Sequence, residues 1–256
     1  MNERMTAIIK NIVKHAVTAL GYEIHRLPKN KFKILPPENK FKWLRDFDIN
    51  TILDIGANAG QFALMIKEFF PKATIYSFEP LKDECERLSE HLDLSSNTAT
   101  PVWRVFNTGL GDFNGSTKIK RNRISTNSSL LEMTDFFKGA YGDSDLDTWE
   151  EEISIWRLDD FVKEKNLEII PGLMIKLDVE GYEEQVIRGG VETLKKAKVV
   201  FTEVSFGNER YKGQVLFNEL YGVLKEIGYK CQGFYHMAYE PQTGVPLYAD
   251  AVFIRE

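Results

Sequence analysis

Thr51-Ile-Leu-Asp-Ile-Gly-Ala-Asn-Ala-Gly60, followed roughly twenty-five residues on by Ser77-Phe-Glu-Pro80, decides the fold class. Thr51 to Ile55 is a short apolar run suited to a buried parallel strand, and Gly56 to Gly60 is a turn. Gln61 to Phe70 reads as a helix with Phe62, Ile66 and Phe69/Phe70 on one face. Ala73 to Phe78 is a second apolar strand that runs into an acid, Glu79. Strand, glycine turn, helix, strand, acid is the layout of an α/β nucleotide or nucleoside site. There glycines admit a ligand to the backbone and the acid accepts hydrogen bonds from ribose hydroxyls.

A pyrophosphate binder would carry GxGxxG, whose glycines and helix N-terminus receive phosphate charge. Here an acid, Asp54, sits at the turn in the pattern Asp-x-Gly-x-Asn-x-Gly. A carboxylate there repels a pyrophosphate and suits a ligand carrying an ammonium and a sulfonium, which is S-adenosylmethionine. The bland alternative is an Asp capping the next helix of a ligand-free α/β domain.

The 256 residues suit one α/β domain with additions. No apolar run approaches the roughly 20 residues needed to span a bilayer, and no cleavable signal peptide is visible. Cys85 and Cys231 lie far apart without metal spacing, which fits reduced thiols in a cytoplasmic setting and argues against zinc. Through Arg45 there are ten Lys/Arg against Glu3, Glu23 and Glu38, so the remainder is strongly acidic under a net charge of −5. A nucleic-acid enzyme would carry a basic stripe over its site, so nucleic acid is excluded as a partner.

Met1 to Leu20 has an amphipathic helical pattern ended by Gly21, and a basic connector with Pro36-Pro37 follows. Residues 1–45 are therefore read as an arm and 46–256 as the catalytic domain. The arm packs on the domain, on a second subunit, or peripherally on the anionic inner face of a membrane.

Along the domain, Leu81 to Leu92 is a charged helix and Val102 to Asn107 a third strand. Gly115 to Arg121 and Ile153 to Leu158 alternate as added strands around a polar loop. Leu158 to Lys165 is a helix and Gly172 to Leu177 a fourth parallel strand. Glu183 to Arg188 begins a helix, Val199 to Val204 is a fifth strand, and Val215 to Ile227 is a helix ended by Gly228. Tyr229 to Phe234 and Pro246 to Ile254 form a terminal antiparallel pair. Alternating β and α elements demand a mainly parallel sheet covered on both faces.

Lys176-Leu-Asp-Val-Glu-Gly-Tyr-Glu183 is more specific. Together with Asp54-Ile-Gly-Ala-Asn-Ala-Gly60, Gly109-Leu-Gly-Asp112, Asn127-Ser-Ser-Leu130, Leu158-Asp-Asp-Phe161 and Asp250-Ala-Val-Phe253, it resembles the FkbM methyltransferase family over roughly residues 45–255. That resemblance implies a Rossmann-like class I methyltransferase fold, with seven strands, the last pair antiparallel. It implies S-adenosylmethionine as methyl donor and O-methylation of a hydroxyl on a sugar, glycan, glycolipid or other natural product.

Donor sites in open α/β sheets lie at the carboxyl ends of the strands. Asp54, Gly56, Asn58 and Gly60 are expected to line the methionine moiety, with Glu79 and Pro80 at the ribose and Leu110 and Asp112 at the adenine. Asp112 is otherwise a turn former. Asp178 and Glu203, ending adjacent strands, are expected to share the crevice facing the donor methyl. A sugar hydroxyl is a poor nucleophile until it loses its proton, and Asp178 is the first choice of base. Asp178, Glu180 and Glu203 are alternatively a divalent-cation site. Glu180 otherwise pairs with Lys176 or caps the next helix. His236 is a further candidate base at the rim. Gly139 to Glu152, with Tyr141, Trp149 and three aspartates, is the expected acceptor-side loop, either as a sugar platform or as a solvated acidic loop. Asn127 to Ser129 offers small polar groups to donor or acceptor. The rival readings are a catalytically silent scaffold of the same fold and a nicotinamide oxidoreductase, the latter opposed by the missing GxGxxG.

Overall fold

The structure, a computed structural model, describes residues 41–95, 102–141 and 148–255. The N-terminal arm, apart from residues 41–45, and residues 142–147 of the expected acceptor loop lie outside the described residues. A division between Trp43 and Leu44 sets off the unit Leu44–Glu256, described below.

Its centre is a seven-stranded sheet in the order β3-β2-β1-β7-β8-β10-β9. The strands are β1 (Thr51–Ile55), β2 (Thr74–Phe78), β3 (Trp103–Phe106), β7 (Leu173–Leu177), β8 (Ala197–Ser205), β9 (Lys230–Tyr239) and β10 (Pro246–Ile254). All neighbours are parallel except where β10 pairs antiparallel with both β8 and β9. The chain reverses order at β1, leaving a crevice above the carboxyl ends of β1 and β7, where open α/β sheets bind ligands. This is the Rossmann-like class I methyltransferase architecture expected from the sequence.

Every residue of β1 and of β7 is buried, as a sheet covered on both faces requires. Alternation sends Leu53, Ile55, Tyr76, Phe78, Ile175, Leu177, Val200, Val204 and Phe253 into one core. Helices α4 (Leu158–Glu164), α5 (Glu183–Gly189), α6 (Val191–Leu194) and α7 (Phe217–Ile227) close it with Phe161, Val186, Leu194 and Leu224. Phe78, Phe106 and Phe161 meet with ring centroids 5.0–5.4 Å apart. Helix α1 (Gln61–Phe69) covers the opposite face, where Phe62 meets Phe201 at 6.0 Å. On that face the apolar alternation is broken toward the carboxyl edge by two cross-strand pairs, Asp54 with Lys176 on β1 and β7 and Glu203 with Asp250 on β8 and β10. Polar residues in a sheet buried on both sides need a functional or pairing reason.

A second sheet, in the order β4-β6-β5, joins β4 (Gly109–Gly111), β5 (Gly115–Asn122) and β6 (Thr148–Arg157). Strand β6 starts five residues before the expected Ile153 and absorbs Trp149 and the acidic run Glu150–Glu152. This run has loop-like composition, yet it is held in the sheet by the basic strand beside it. Lys118 Nζ lies 2.8 Å from Glu150 and Arg121 Nη1 2.8 Å from Glu151. Trp149 lies against the Arg121 guanidinium, so it belongs to a strand face rather than to a loop. Helices α2 (Lys82–Ser95) and α3 (Asp135–Tyr141) follow β2 and β5 in the chain. No described helix is long and apolar enough to cross a membrane.

Helix α5 packs so closely on β4 that a Cβ at Gly189 would sit 1.8 Å from the Gly111 carbonyl oxygen. Gly189→Ala is expected to destabilise the fold by about 3 kcal/mol. Gly222→Ala, in α7 with nothing within 4 Å of its added methyl, is expected to stabilise by about 0.5–1 kcal/mol. Urea unfolding of the two variants checks the contrast.

Candidate active site

A cleft of about 710 Å³ opens at the carboxyl ends of β1, β2 and β7. The turn after β1 forms one side. Gly56 has φ 75° and Asn58 φ 46°, left-handed conformations that glycine and asparagine tolerate. A Cβ at Gly56 would lie 1.9 Å from the Asp178 carbonyl oxygen, so only glycine lets the ends of β1 and β7 meet. Asn58 Nδ2 donates to Ser125 Oγ at 3.0 Å and ties this turn to the loop after β5.

Glu79, at the end of β2, projects into the cleft. Its Oε2 accepts the Asn58 N–H at 2.8 Å and its Oε1 the Leu81 N–H at 2.9 Å. Each oxygen keeps a lone pair for a second donor, the requirement for gripping a vicinal diol. Burial pushes its carboxyl up to about 7, against the pull of those two backbone donors. Leu81, Leu110, Ile119, Leu130 and Ile153 give the cleft an apolar wall, and Pro80, Thr108, Val179 and Tyr182 also line it. The loop after β5 adds Ser125, Thr126, Ser128 and Ser129. Ser129 Oγ donates to the Glu180 carbonyl oxygen at 2.6 Å, joining that loop to the turn after β7.

The far side is ionic. Lys176 is buried, with its ammonium 3.5 Å from Asp54 and 3.3 Å from Asp178, and it donates to the Gly56 carbonyl oxygen at 2.7 Å. Burial opposes its charge, but the carboxylates of Asp178 and Asp54 more than offset that and raise its pKa. Asp54 is completely buried, and burial pushes its carboxyl up despite Lys176. Beyond Asp178, Arg210 bonds both Glu203 and Glu180, the latter at 2.9 Å. Tyr211 donates its hydroxyl to Glu180 at 2.7 Å. Burial pushes Glu180 to about 7 and Glu203 well above the usual carboxylate range. Glu180 has φ 54°, a strained conformation held by these partners.

Of the sequence-expected residues, Gly56, Asn58, Glu79, Pro80, Leu110 and Asp178 line the cleft. Asp54 does not; it lies beneath the wall, where its charge holds Lys176. Gly60 does not either. Its φ of 88° and the Leu88 side chain, 2.3 Å from a hypothetical Cβ, give it a turn and packing role. Asp112 falls outside the lining, and its backbone carbonyl accepts from Arg157 at 2.9 Å. Glu203 is drawn behind the wall by Arg210. His236, on β9, is also outside the lining, with Nδ1 2.6 Å from Asp250 Oδ2. Glu180 pairs with Arg210 rather than Lys176. Nor does it cap the next helix, which has no side-chain cap; Glu183 Oε1 instead holds the turn before it, accepting from Val179 N–H at 3.1 Å and Gly181 N–H at 3.3 Å.

The carboxylates of Asp178, Glu180 and Glu203 offer oxygens within 4.8 Å of one another. The Arg210 guanidinium already meets two of the three. Sequence reasoning missed Arg210 and Tyr211, which sit in an aperiodic loop with no local signal. It also missed the task of Lys176, although strand alternation puts residues 176 and 178 on one side.

The site fits S-adenosylmethionine. Glu79 is placed for a diol, and the glycine cradle admits backbone contact. The acids face a ligand bearing a sulfonium and an ammonium.

A family profile described as the methyltransferase FkbM domain matches residues 54–231. The chain is 32% identical over 187 residues to the 2-O-methyltransferase NoeI of Sinorhizobium fredii, covering 64% of this chain and 66% of that protein. It is 26% identical over 161 residues to the hexuronic acid methyltransferase AglP of Haloferax volcanii, covering 62% of this chain and 57% of that protein. The chain thus spans about 57–66% of the length of these relatives. Among solved structures, the methyltransferase FkbM of Methylobacillus flagellatus matches with a TM-score of 0.50 at 15% identity, covering 79% of this chain and 44% of that one. That last likeness is one of fold.

Lys176→Met leaves Asp54 buried beside no cation and is expected to cost about 3–5 kcal/mol at pH 8. The loss shrinks toward pH 5, because a buried carboxyl whose pKa is already raised takes up a proton as pH falls. Adding Asp54→Asn is expected to recover much of the stability at pH 8. Urea unfolding of the single and double variants at both pH values checks this.

Proposed function

Since the chain belongs to the methyltransferase FkbM domain family, we propose that it transfers the methyl group of S-adenosylmethionine to a hydroxyl of a sugar, glycan or glycolipid. The observation that carries this reading is the convergence of Glu79, the Gly56 turn and Asp178 on one cleft. Glu79 holds the two ribose hydroxyls, in charge-assisted bonds worth about 1.5–3 kcal/mol each. The apolar wall of Leu110, Ile119 and Ile153 receives the adenine, and the backbone around Gly56 receives the methionine end.

S-adenosylmethionine supplies a methyl group already activated by its sulfonium, so alignment by the protein accounts for much of the acceleration, about 7–11 kcal/mol in well-oriented systems. Asp178 stands where that alignment is made. Lys176 fixes its carboxylate, which accepts the hydrogen bond of the incoming hydroxyl and aims the oxygen. Arg210 bonds Glu180 and Glu203 and so already pairs two of the three acids that could hold a cation. The sugar class of the acceptor is supported by the two relatives named above, one a 2-O-methyltransferase and the other a hexuronic acid methyltransferase.

Incubating the full chain with methyl-tritiated S-adenosylmethionine and a cell-envelope glycan extract is expected to label a saccharide fraction. Labelling is expected to persist in EDTA. Asp178→Asn is expected to lower the rate at least a hundredfold while sparing donor binding. Label confined to protein or nucleic acid, or an Asp178→Asn rate within tenfold of wild type, contradicts the reading.

A further inference from the structure

The row of polar residues on the α1 side of the sheet ends at Asp250 of β10, and Asp250 has a partner on the last strand. His236 Nδ1 lies 2.6 Å from Asp250 Oδ2. The backbone is deformed to make that contact. Between the paired positions Tyr248↔Ala238 and Asp250↔Tyr235, β9 carries one residue more than β10. The extra residue is a β-bulge spanning His236 and Met237, and bulges re-aim side chains beside functional sites. His236 itself has φ 46°, a left-handed conformation uncommon outside glycine. Bulge, strained φ and short hydrogen bond all act on this one imidazole.

Its position is level with the reaction edge. Asp250 is paired in register with Glu203, whose carboxylate lies within 4.8 Å of Asp178. Burial raises the Asp250 carboxyl, the His236 bond lowers it, and the charge of Asp178 raises it again. The charged groups around the pair are Asp178 and Lys176 from β7 and its following turn, and Glu203 with Arg210 from β8 and the loop after it. Lys176 already holds the Asp178 carboxylate at 3.3 Å. Imidazole is the side chain suited to exchanging protons at neutral pH.

We propose that His236 is the general base for the acceptor hydroxyl and that Asp250 is the positioning residue that sets its tautomer. With Nδ1–H donating to Asp250, the basic lone pair is on Nε2. The acceptor O–H bond breaks, its proton passes to Nε2, and its electron pair stays on oxygen to form the bond to the methyl carbon as the carbon–sulfur bond breaks onto sulfur. Asp250 stabilises the imidazolium and keeps its own charge. The His236 side chain is 58% exposed, so the proton then leaves to solvent. A base on an open rim also suits an acceptor too large to enter the cleft. This assignment rests on the methyl-transfer reading above.

The test uses the full chain and His236→Asn, since asparagine tolerates a left-handed φ, together with Asp250→Asn. Transfer to the envelope glycan extract is measured from pH 5.5 to 9, with donor binding as the folding control. Wild type is expected to speed up through one ionisation in the imidazole range. His236→Asn is expected to lose at least a hundredfold in rate and that ionisation, with donor binding unchanged. Nitrogen NMR of the imidazoles, of which the chain has four, is recorded without donor. His236 is expected as the Nδ1–H tautomer in wild type and to lose that preference in Asp250→Asn, whose transfer ionisation shifts with it. A wild type that labels the extract while His236→Asn labels it within threefold of that rate overturns the base alone. An Nε2–H tautomer in wild type overturns the pairing whatever the transfer result. A wild type that leaves the extract unlabelled overturns the acceptor reading and the base with it.

Discussion

The carboxyl edge of this sheet depends on one buried ammonium. Lys176 joins Asp54 of β1, Asp178 beyond β7 and the Gly56 carbonyl oxygen, so a single cation closes the two strands whose ends form the crevice. Asp54 is tolerable at the centre of the sheet only because of it. The absent side chain of Gly56 is the steric half of the same closure, since any Cβ would strike the Asp178 carbonyl. The position of Asp178 at the cleft is therefore set by two neighbours at once, one ionic and one steric.

Arg210 repeats the device one strand further out, tying Glu180 and Glu203 to each other and, through Tyr211, to the loop after β8. Two cations thus serve a row of acids that includes Glu79 and Asp250. Burial keeps Glu79 and Glu180 near 7, so the edge carries less charge than its composition suggests. The chemistry and the stability of the edge have the same source.

The seven-stranded sheet was legible because its strands are short apolar runs separated by glycine turns and amphipathic helices, a pattern with few topological solutions. The cleft-lining role of Gly56, Asn58, Glu79 and Asp178 was legible for the same reason, since each sits at a strand end. Asp54 was misplaced because a strand residue next to a turn reads the same whether it points into the crevice or under it. Thr148–Glu152 read as loop because its pairing partner, the basic strand β5, is distant in sequence. Arg210 and Tyr211 lie in a loop without periodicity, and only the folded chain shows that they meet Glu180. The His236–Asp250 pair depends on a bulge, which composition does not announce.

We propose that the cleft over β1 and β2 binds S-adenosylmethionine through Glu79. Isothermal titration of the full chain with S-adenosylmethionine and, separately, with NAD tests it most directly. The expected result is one S-adenosylmethionine per chain, no heat from NAD, and at least a tenfold weaker donor affinity in Glu79→Ala. Donor binding that Glu79→Ala leaves unchanged, or preferential binding of NAD, would contradict it.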